Sequence, residues 1–271
     1  MRCQTILEIS SATITLALIL LMPTFHQADA KSRAPVQQRS GSLAVKPSTD
    51  SLIRKADYWR ERGEIEKAIT LYDQAIKIDG NAASAYFGRA LVWEEFGKMD
   101  CALADFSMAI KIEKPFYEKA VRLRGDLYQS LRRYDEAVKD YSMVINRHPT
   151  DGLYFSRANC YMRLNKPAQA LADYNKALGI RGPRAPILEK RADAYFSLRQ
   201  DAKALADYNT TLKLDPDGDQ SKDGHEHLHK CKAEIYKRSG KTDLYKIELE
   251  AAAKGRSANI DMAPFSSRPL K

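Results

Sequence analysis

Small residues return along this chain at a near-constant interval, and that interval restricts the fold more than any other feature. Alanine or glycine stands at Ala56, Ala90, Gly125, Ala158 and Ala192, with gaps of 34, 35, 33 and 34 residues. A second small column, Ala68, Ala102, Ala137, Ala170 and Ala204, keeps the same gaps. Two aromatic columns run in register with them: Trp59, Trp93, Tyr128, Tyr161 and Tyr195, and then Tyr72, Phe106, Tyr141, Tyr174 and Tyr208. Self-similarity at a fixed period of this length marks a stack of repeated units.

Each period reads as two helices. Tyr86, Ala90 and Trp93 fall at three- and four-residue spacing, and so do Ala102, Phe106 and Ala109, which places each set on one helical face. Gly63 and Gly97 mark a tight turn between the helices of the first two units, where glycine tolerates backbone that other residues avoid. Pro149 and Pro216 lie past helix ends, where a missing N–H costs nothing. Two antiparallel helices joined by a short turn approach closely only where the facing side chains are small. The alanines set that seam and the aromatics fill its flanks. A bulkier residue at Ala90 or Ala102 would cost about 1–3 kcal/mol of overpacking. One helix pair cannot bury its apolar face alone, so neighbouring pairs must stack on it.

These columns resemble the tetratricopeptide repeat. The resemblance implies an all-α, right-handed superhelical solenoid of antiparallel helix pairs. Five repeats are expected over 49–218, at 49–82, 83–117, 118–150, 151–184 and 185–218. A polar insert at 219–225 precedes a degenerate sixth, capping unit at 226–253. That unit is carried by Ala233, Tyr236, Gly240 and Ala252, with Tyr245 where a small residue is expected.

The flanks differ in kind. Residues 1–30 combine Arg2, an apolar run from Ala12 to Met22, Pro23, and the small-residue site Ala28-Asp29-Ala30. That is the three-part pattern of a signal peptide, and it predicts an exported protein, periplasmic or secreted. The competing reading is an uncleaved anchor, the one route by which the chain would contact a membrane. Residues 31–48 are rich in Ser, Pro, Gln and Arg and read as a flexible linker. Residues 254–271, with Pro264 and Pro269, read as a disordered basic tail.

One charge pair repeats with the period. Arginine stands at Arg89, Arg124, Arg157 and Arg191, and aspartate sixteen residues later at Asp105, Asp140, Asp173 and Asp207. The sixth unit keeps the charges as Lys232 and Glu248, and the first has lost both, with Lys55 and Leu71. The two positions lie at the same height in antiparallel helices, which predicts a salt bridge inside each repeat. A guanidinium can grip a carboxylate through two hydrogen bonds and so fix the geometry of both helices.

The resemblance further implies a scaffold that binds a partner protein or peptide, without catalysis or cofactor. In similar proteins the first helix of each repeat lines the concave, ligand-facing side. Carried onto this chain, that face offers Phe87, Leu91, Arg122, Asp126, Phe155, Asn159, Met162, Lys190 and Phe196. Apolar residues grouped in a groove mark an interaction site, and Arg122, Asn159 and Lys190 would fix a peptide backbone or carboxylate. The alternative is that several of these side chains pack between repeats. The carboxylate clamp for chaperone C-termini is not matched: Arg122 is accompanied by Asp126, and Asn159 by Phe155.

The only sequence with a catalytic pattern is His225-Glu226-His227-Leu228-His229, which matches H-E-x-x-H. On a helix its outer histidines share a face and can hold zinc. Its setting, after the polar run 217–224 and before Lys230, favours an exposed polar helix start instead. Metal binding by His225, His227, His229 and Cys231 stands as the alternative function, and no metal is expected otherwise. Of the four cysteines, Cys3 lies in the signal segment; the three that would survive its cleavage, Cys101, Cys160 and Cys231, are odd in number and widely spaced, which argues against a disulfide framework. The net charge is +9, but basic and acidic residues interleave along the repeats, so nucleic acid is not an expected partner.

Overall fold

The computed structural model describes residues 47–112, 117–218 and 225–261. The signal segment 1–30, the linker up to residue 46, most of the polar insert and residues 262–271 lie outside the described residues. Among the described residues there are twelve α-helices and no strands. They are α1 (Thr49–Glu61), α2 (Ile65–Ile78), α3 (Ala83–Glu95), α4 (Met99–Ile112), α5 (Glu118–Ser130) and α6 (Tyr134–Ile145). There follow α7 (Asp151–Arg163), α8 (Pro167–Arg181), α9 (Ala185–Ser197), α10 (Asp201–Leu214), α11 (Glu226–Arg238) and α12 (Thr242–Asp261). The odd-numbered helices open the repeat units. None of the described helices is long and apolar enough to cross a membrane.

The chain divides within α4 into two compact units, one through Ala102 and one from Leu103. In the first, α1 packs on α2, and α3 packs on both. In the second, α5 pairs with α6, α7 with α8, α9 with α10 and α11 with α12. There α6 packs on α7, α8 on α9, and the first helices stack as α7 on α9 and α9 on α11.

Both alanine columns, from Ala56 to Ala192 and from Ala68 to Ala204, are 0% exposed, and Gly125 is buried among them. The space they leave is filled by the rings of Tyr72, Phe106, Tyr141, Tyr174 and Tyr208, each 1% exposed or less. The fit leaves no room for a methyl group at Gly88 and little at Gly125. A Cβ placed on Gly88 would lie 2.5 Å from the Tyr72 ring. One placed on Gly125 would lie 3.1 Å from the Tyr141 ring.

The turn between the two helices of a repeat needs a left-handed residue. Glycine supplies it at Gly63, Gly97 and Gly240, with φ of 73°, 74° and 71°. The same turn is made by Arg132, Asn165 and Arg199, with φ of 59°, 56° and 59°. The sequence marks the turn only where glycine occupies it. The middle repeats form it anyway, because the packed helices on either side impose the reversal and outweigh a local cost of about 1–2 kcal/mol.

α12 extends to Asp261, into the stretch expected as a tail. Ala251, Ala252 and Ala253 are strong helix formers, and the prolines that forbid helix lie only at 264 and 269.

Candidate protein-binding groove

Three arginines of the second unit each grip the aspartate sixteen residues on. Arg124 Nε and Nη2 donate to Asp140 at 2.8 and 2.7 Å. Arg157 does the same to Asp173 at 2.7 and 2.8 Å, and Arg191 to Asp207 at 2.7 and 2.8 Å. In the last repeat Lys232 Nζ lies 2.7 Å from Glu248. Each arginine also reaches backward with Nη1, to Ser107 Oγ at 2.9 Å, Ser142 Oγ at 2.8 Å and Asn175 Oδ1 at 2.8 Å. One guanidinium therefore joins both helices of its own repeat to the second helix of the repeat before. In the first unit Arg89 makes that backward contact to Asp73. Arg89 and Asp105 belong to different units. The backward column, Asp73, Ser107, Ser142 and Asn175, keeps the gaps of 34, 35 and 33 residues, but its mixed short polar residues do not by themselves point to an arginine partner.

The buried tyrosines also bridge the helices. Tyr141 donates its hydroxyl proton to Asp126 Oδ1 at 2.8 Å, Tyr174 to Asn159 Oδ1 at 2.7 Å and Tyr208 to Asp193 Oδ1 at 2.8 Å. Burial, with the nearby carboxylates, raises the pKa of all three phenols, so they remain donors. Asp126 and Asn159 are thus held from beneath by the groove floor, and Asn159 has its carbonyl oxygen committed there.

Above this floor, the second unit contains a cavity of about 780 Å³. Its apolar lining is Phe155, Met162, Tyr134 and Tyr174, and its polar lining is Gln129, Asn159, Arg163, Lys190, Asp193 and His227. Phe155 and Met162 are only partly buried and pack on the core beneath. Of the residues expected to meet a partner, Phe155, Asn159, Met162 and Lys190 come together here. Arg122 and Asp126 are not part of the lining; they form an exposed ion pair of 3.0 Å along α5. Phe196 packs against the core of the last two repeats, with the Arg238 guanidinium 4.7 Å above its ring. Leu91 and Phe87 lie in the first unit. Phe87 is 8% exposed and is not a surface anchor. α3 has neighbours on more than one side and buries Ala85, Phe87, Gly88, Ala90 and Val92 together. A groove reading based on helical spacing alone misplaces such a residue.

At one end of the cavity, charges crowd together. Lys190 Nζ lies 3.0 Å from Glu189 and 3.3 Å from Asp193, and the two carboxylates raise its pKa against the opposing effect of burial. His227 Nε2 lies 3.2 Å from Asp193 Oδ1 and 3.6 Å from Cys231 Sγ. Its hydrogen bonds to Asp193 and then Cys231 push its pKa up to about 10 despite burial. Asp193 is held below the usual carboxylate range: burial alone would raise it, but the hydrogen bond from His227 and the Lys190 charge outweigh that.

The histidines of the H-E-x-x-H run do not converge. His225 is 3% exposed, with Nε2 2.5 Å from the Asp215 carbonyl, so the exposed helix start expected at this residue is corrected to a buried one. It takes up a left-handed φ of 68° immediately before α11, which turns it away from the helix face that His229 occupies. His229 Nδ1 is 2.7 Å from Glu248.

The comparisons agree with this architecture. Residues 57–97 match the family described as "TPR repeat", and residues 122–186 match "Tetratricopeptide repeat". The chain therefore carries tetratricopeptide repeats, and neither matching family describes an enzyme. Tetratricopeptide repeat protein 36 of Caenorhabditis elegans is 34% identical over 76 residues, 27% of this chain. The chain spans 42% of that relative's length. Among solved structures, "Crystal structure of YrrB: a TPR protein with an unusual peptide-binding site" has a TM-score of 0.59 at 19% identity, covering 64% of this chain and 89% of that one. "Crystal structure of MamA protein" has a TM-score of 0.57 at 15% identity, covering 64% and 95%. A structure titled "Functional Characterization of Pseudomonas Aeruginosa pilF" has a TM-score of 0.54 at 18% identity, covering 74% and 88%. These likenesses show an all-helical repeat fold.

Proposed function

We propose that this chain is an exported scaffold that binds an extended peptide of a partner protein in the groove of its second unit. The observation that carries the reading is the cavity itself, in which the partly buried Phe155 and Met162 flank Asn159 and Lys190. The apolar pair offers surface that a peptide side chain would cover. With its carbonyl oxygen held by Tyr174, Asn159 presents its amide protons upward, where they suit a peptide carbonyl. Arg163, Lys190 and His227 exceed Asp193 and the Glu189 beside Lys190 by one charge, so a peptide with an acidic side chain or a free C-terminal carboxylate is the better fit. A repeat protein of similar fold is described as having a peptide-binding site, which supports the same use here.

The test is a peptide-display selection on the purified chain, followed by affinity measurement of the selected peptides. Loss of about tenfold or more in affinity for Phe155→Ala with Lys190→Ala, in a chain of unchanged helicity, would support the groove. Equal affinity of the double variant and the wild type would place the binding elsewhere. The export reading rests on residues 1–30. Fusing them to a phosphatase that folds only outside the cytoplasm tests it, and an inactive fusion would refute it.

A further inference from the structure

We propose that Asp193, His227 and Cys231 form a site for a borderline-soft divalent cation, with zinc as the ion that fits. His227 and Cys231 stand four residues apart on α11 and so share one face. Asp193 reaches them from α9, which packs on α11. One donor atom from each residue lies within 4.8 Å of the other two.

The spacing carries the argument. A tetrahedral zinc ion holds nitrogen and oxygen at roughly 2.0–2.1 Å and thiolate sulfur at about 2.3 Å. Those bonds imply donor-to-donor edges of about 3.3 Å for nitrogen to oxygen and about 3.6 Å for nitrogen to sulfur. The observed edges are 3.2 Å from His227 Nε2 to Asp193 Oδ1 and 3.6 Å from His227 Nε2 to Cys231 Sγ. Two edges of the polyhedron are thus in place before any ion is added, and the third, from Asp193 to Cys231, lies within 4.8 Å, so a small side-chain adjustment closes the set.

The donor chemistry narrows the ion. A thiolate and an imidazole beside one carboxylate suit zinc and its neighbours in the transition series, and disfavour magnesium and calcium, which want oxygen. The carboxylate is oriented from outside the triad: Tyr208 donates to Asp193 Oδ1 at 2.8 Å and Lys190 approaches Oδ2 at 3.3 Å. Such outer hydrogen bonds are what hold metal-binding carboxylates in place. On binding, His227 gives up its Nε2 proton and Cys231 its thiol proton, both to solvent, and the neutral imidazole and the thiolate take the metal. Three protein donors leave the fourth corner vacant. Asp193 and His227 line the cavity, so a carboxylate, imidazole or water entering it would be placed to complete the set. The site is distinct from the H-E-x-x-H pattern, whose two outer histidines are turned to Asp215 and Glu248.

Cobalt(II) added to the reduced full chain provides the test, because a thiolate ligand gives an intense near-ultraviolet charge-transfer band. One equivalent is expected to produce that band, zinc to abolish it by displacement, and Cys231→Ser to remove it. His227→Ala and Asp193→Asn are each expected to weaken zinc binding by about tenfold or more. Cys160→Ser and His229→Ala should leave both signals intact, and circular dichroism shows whether each variant is folded. A wild-type chain without the band, or a band that survives Cys231→Ser, would overturn the site.

Discussion

Tyr174 donates its hydroxyl proton to Asn159 Oδ1 at 2.7 Å, tying the second helix of a repeat to the first beneath the groove. The same link joins Tyr72 to Asp57 at 2.6 Å, Tyr141 to Asp126 at 2.8 Å and Tyr208 to Asp193 at 2.8 Å. In the one repeat where phenylalanine replaces the tyrosine, at Phe106, the residue in the acceptor column is Leu91. Hydroxyl and acceptor are lost together, as the cost of a buried unpaired polar group requires.

That coupling can be measured. Asn159→Leu alone strands the Tyr174 hydroxyl and is expected to cost about 1–3 kcal/mol. Adding Tyr174→Phe should recover part of the loss, because it removes the stranded group. A double-mutant cycle by urea denaturation reports the difference. Strictly additive effects would mean the hydroxyl is satisfied in some other way.

Asp140 lies 3% exposed and accepts two hydrogen bonds from Arg124. Asp140→Asn keeps the shape but removes the charge facing a half-buried guanidinium, and the expected loss is about 2 kcal/mol. Ser142→Ala, which removes the backward contact of Arg157 and the hydroxyl's own bond to the Val138 carbonyl, should cost about 1 kcal/mol. Unchanged denaturation midpoints for Asp140→Asn would show that the pair contributes nothing.

Arg199 holds the left-handed turn position with φ of 59°. Glycine adopts that conformation freely but adds entropy to the unfolded chain. The net expectation for Arg199→Gly is a gain of about 0.5–1 kcal/mol. A thermal midpoint that falls would mean the arginine side chain contributes more than the backbone strain removes.

Glu248 receives His229 at 2.7 Å and Lys232 at 2.7 Å. Burial would raise its pKa, but the hydrogen bonds from His229 and Lys232 outweigh burial and lower it below the ordinary 4.5. A carboxylate depressed in the folded state contributes stability that is present above its unfolded pKa and lost as the pH falls through the folded value. Glu248→Gln should therefore cost about 3 kcal/mol near neutral pH. The gap between variant and wild type should narrow once the pH drops below 4.5. A gap that stays constant from neutral to acid would count against the pairing.

The groove was only partly legible. Phe155, Asn159, Met162 and Lys190 converge in the cavity because each faces the ligand side of its own first helix, a property of local spacing. Phe87 and Phe196 sit on first helices too, yet one is buried and the other lies under Arg238. Whether a ring on such a helix is open depends on what the next helix places over it.

The sequence by itself determined the helix pairs, their period and their seam, because the burial of small and aromatic residues repeats along the chain and needs no distant partner to be read. The donor triad belongs to tertiary structure alone. Asp193 lies 34 residues before His227 and 38 before Cys231, and no local rule relates them. They meet because α11 packs on α9, while the left-handed backbone at His225 and its contact to the Asp215 carbonyl separate it from His229, which the linear pattern had placed together.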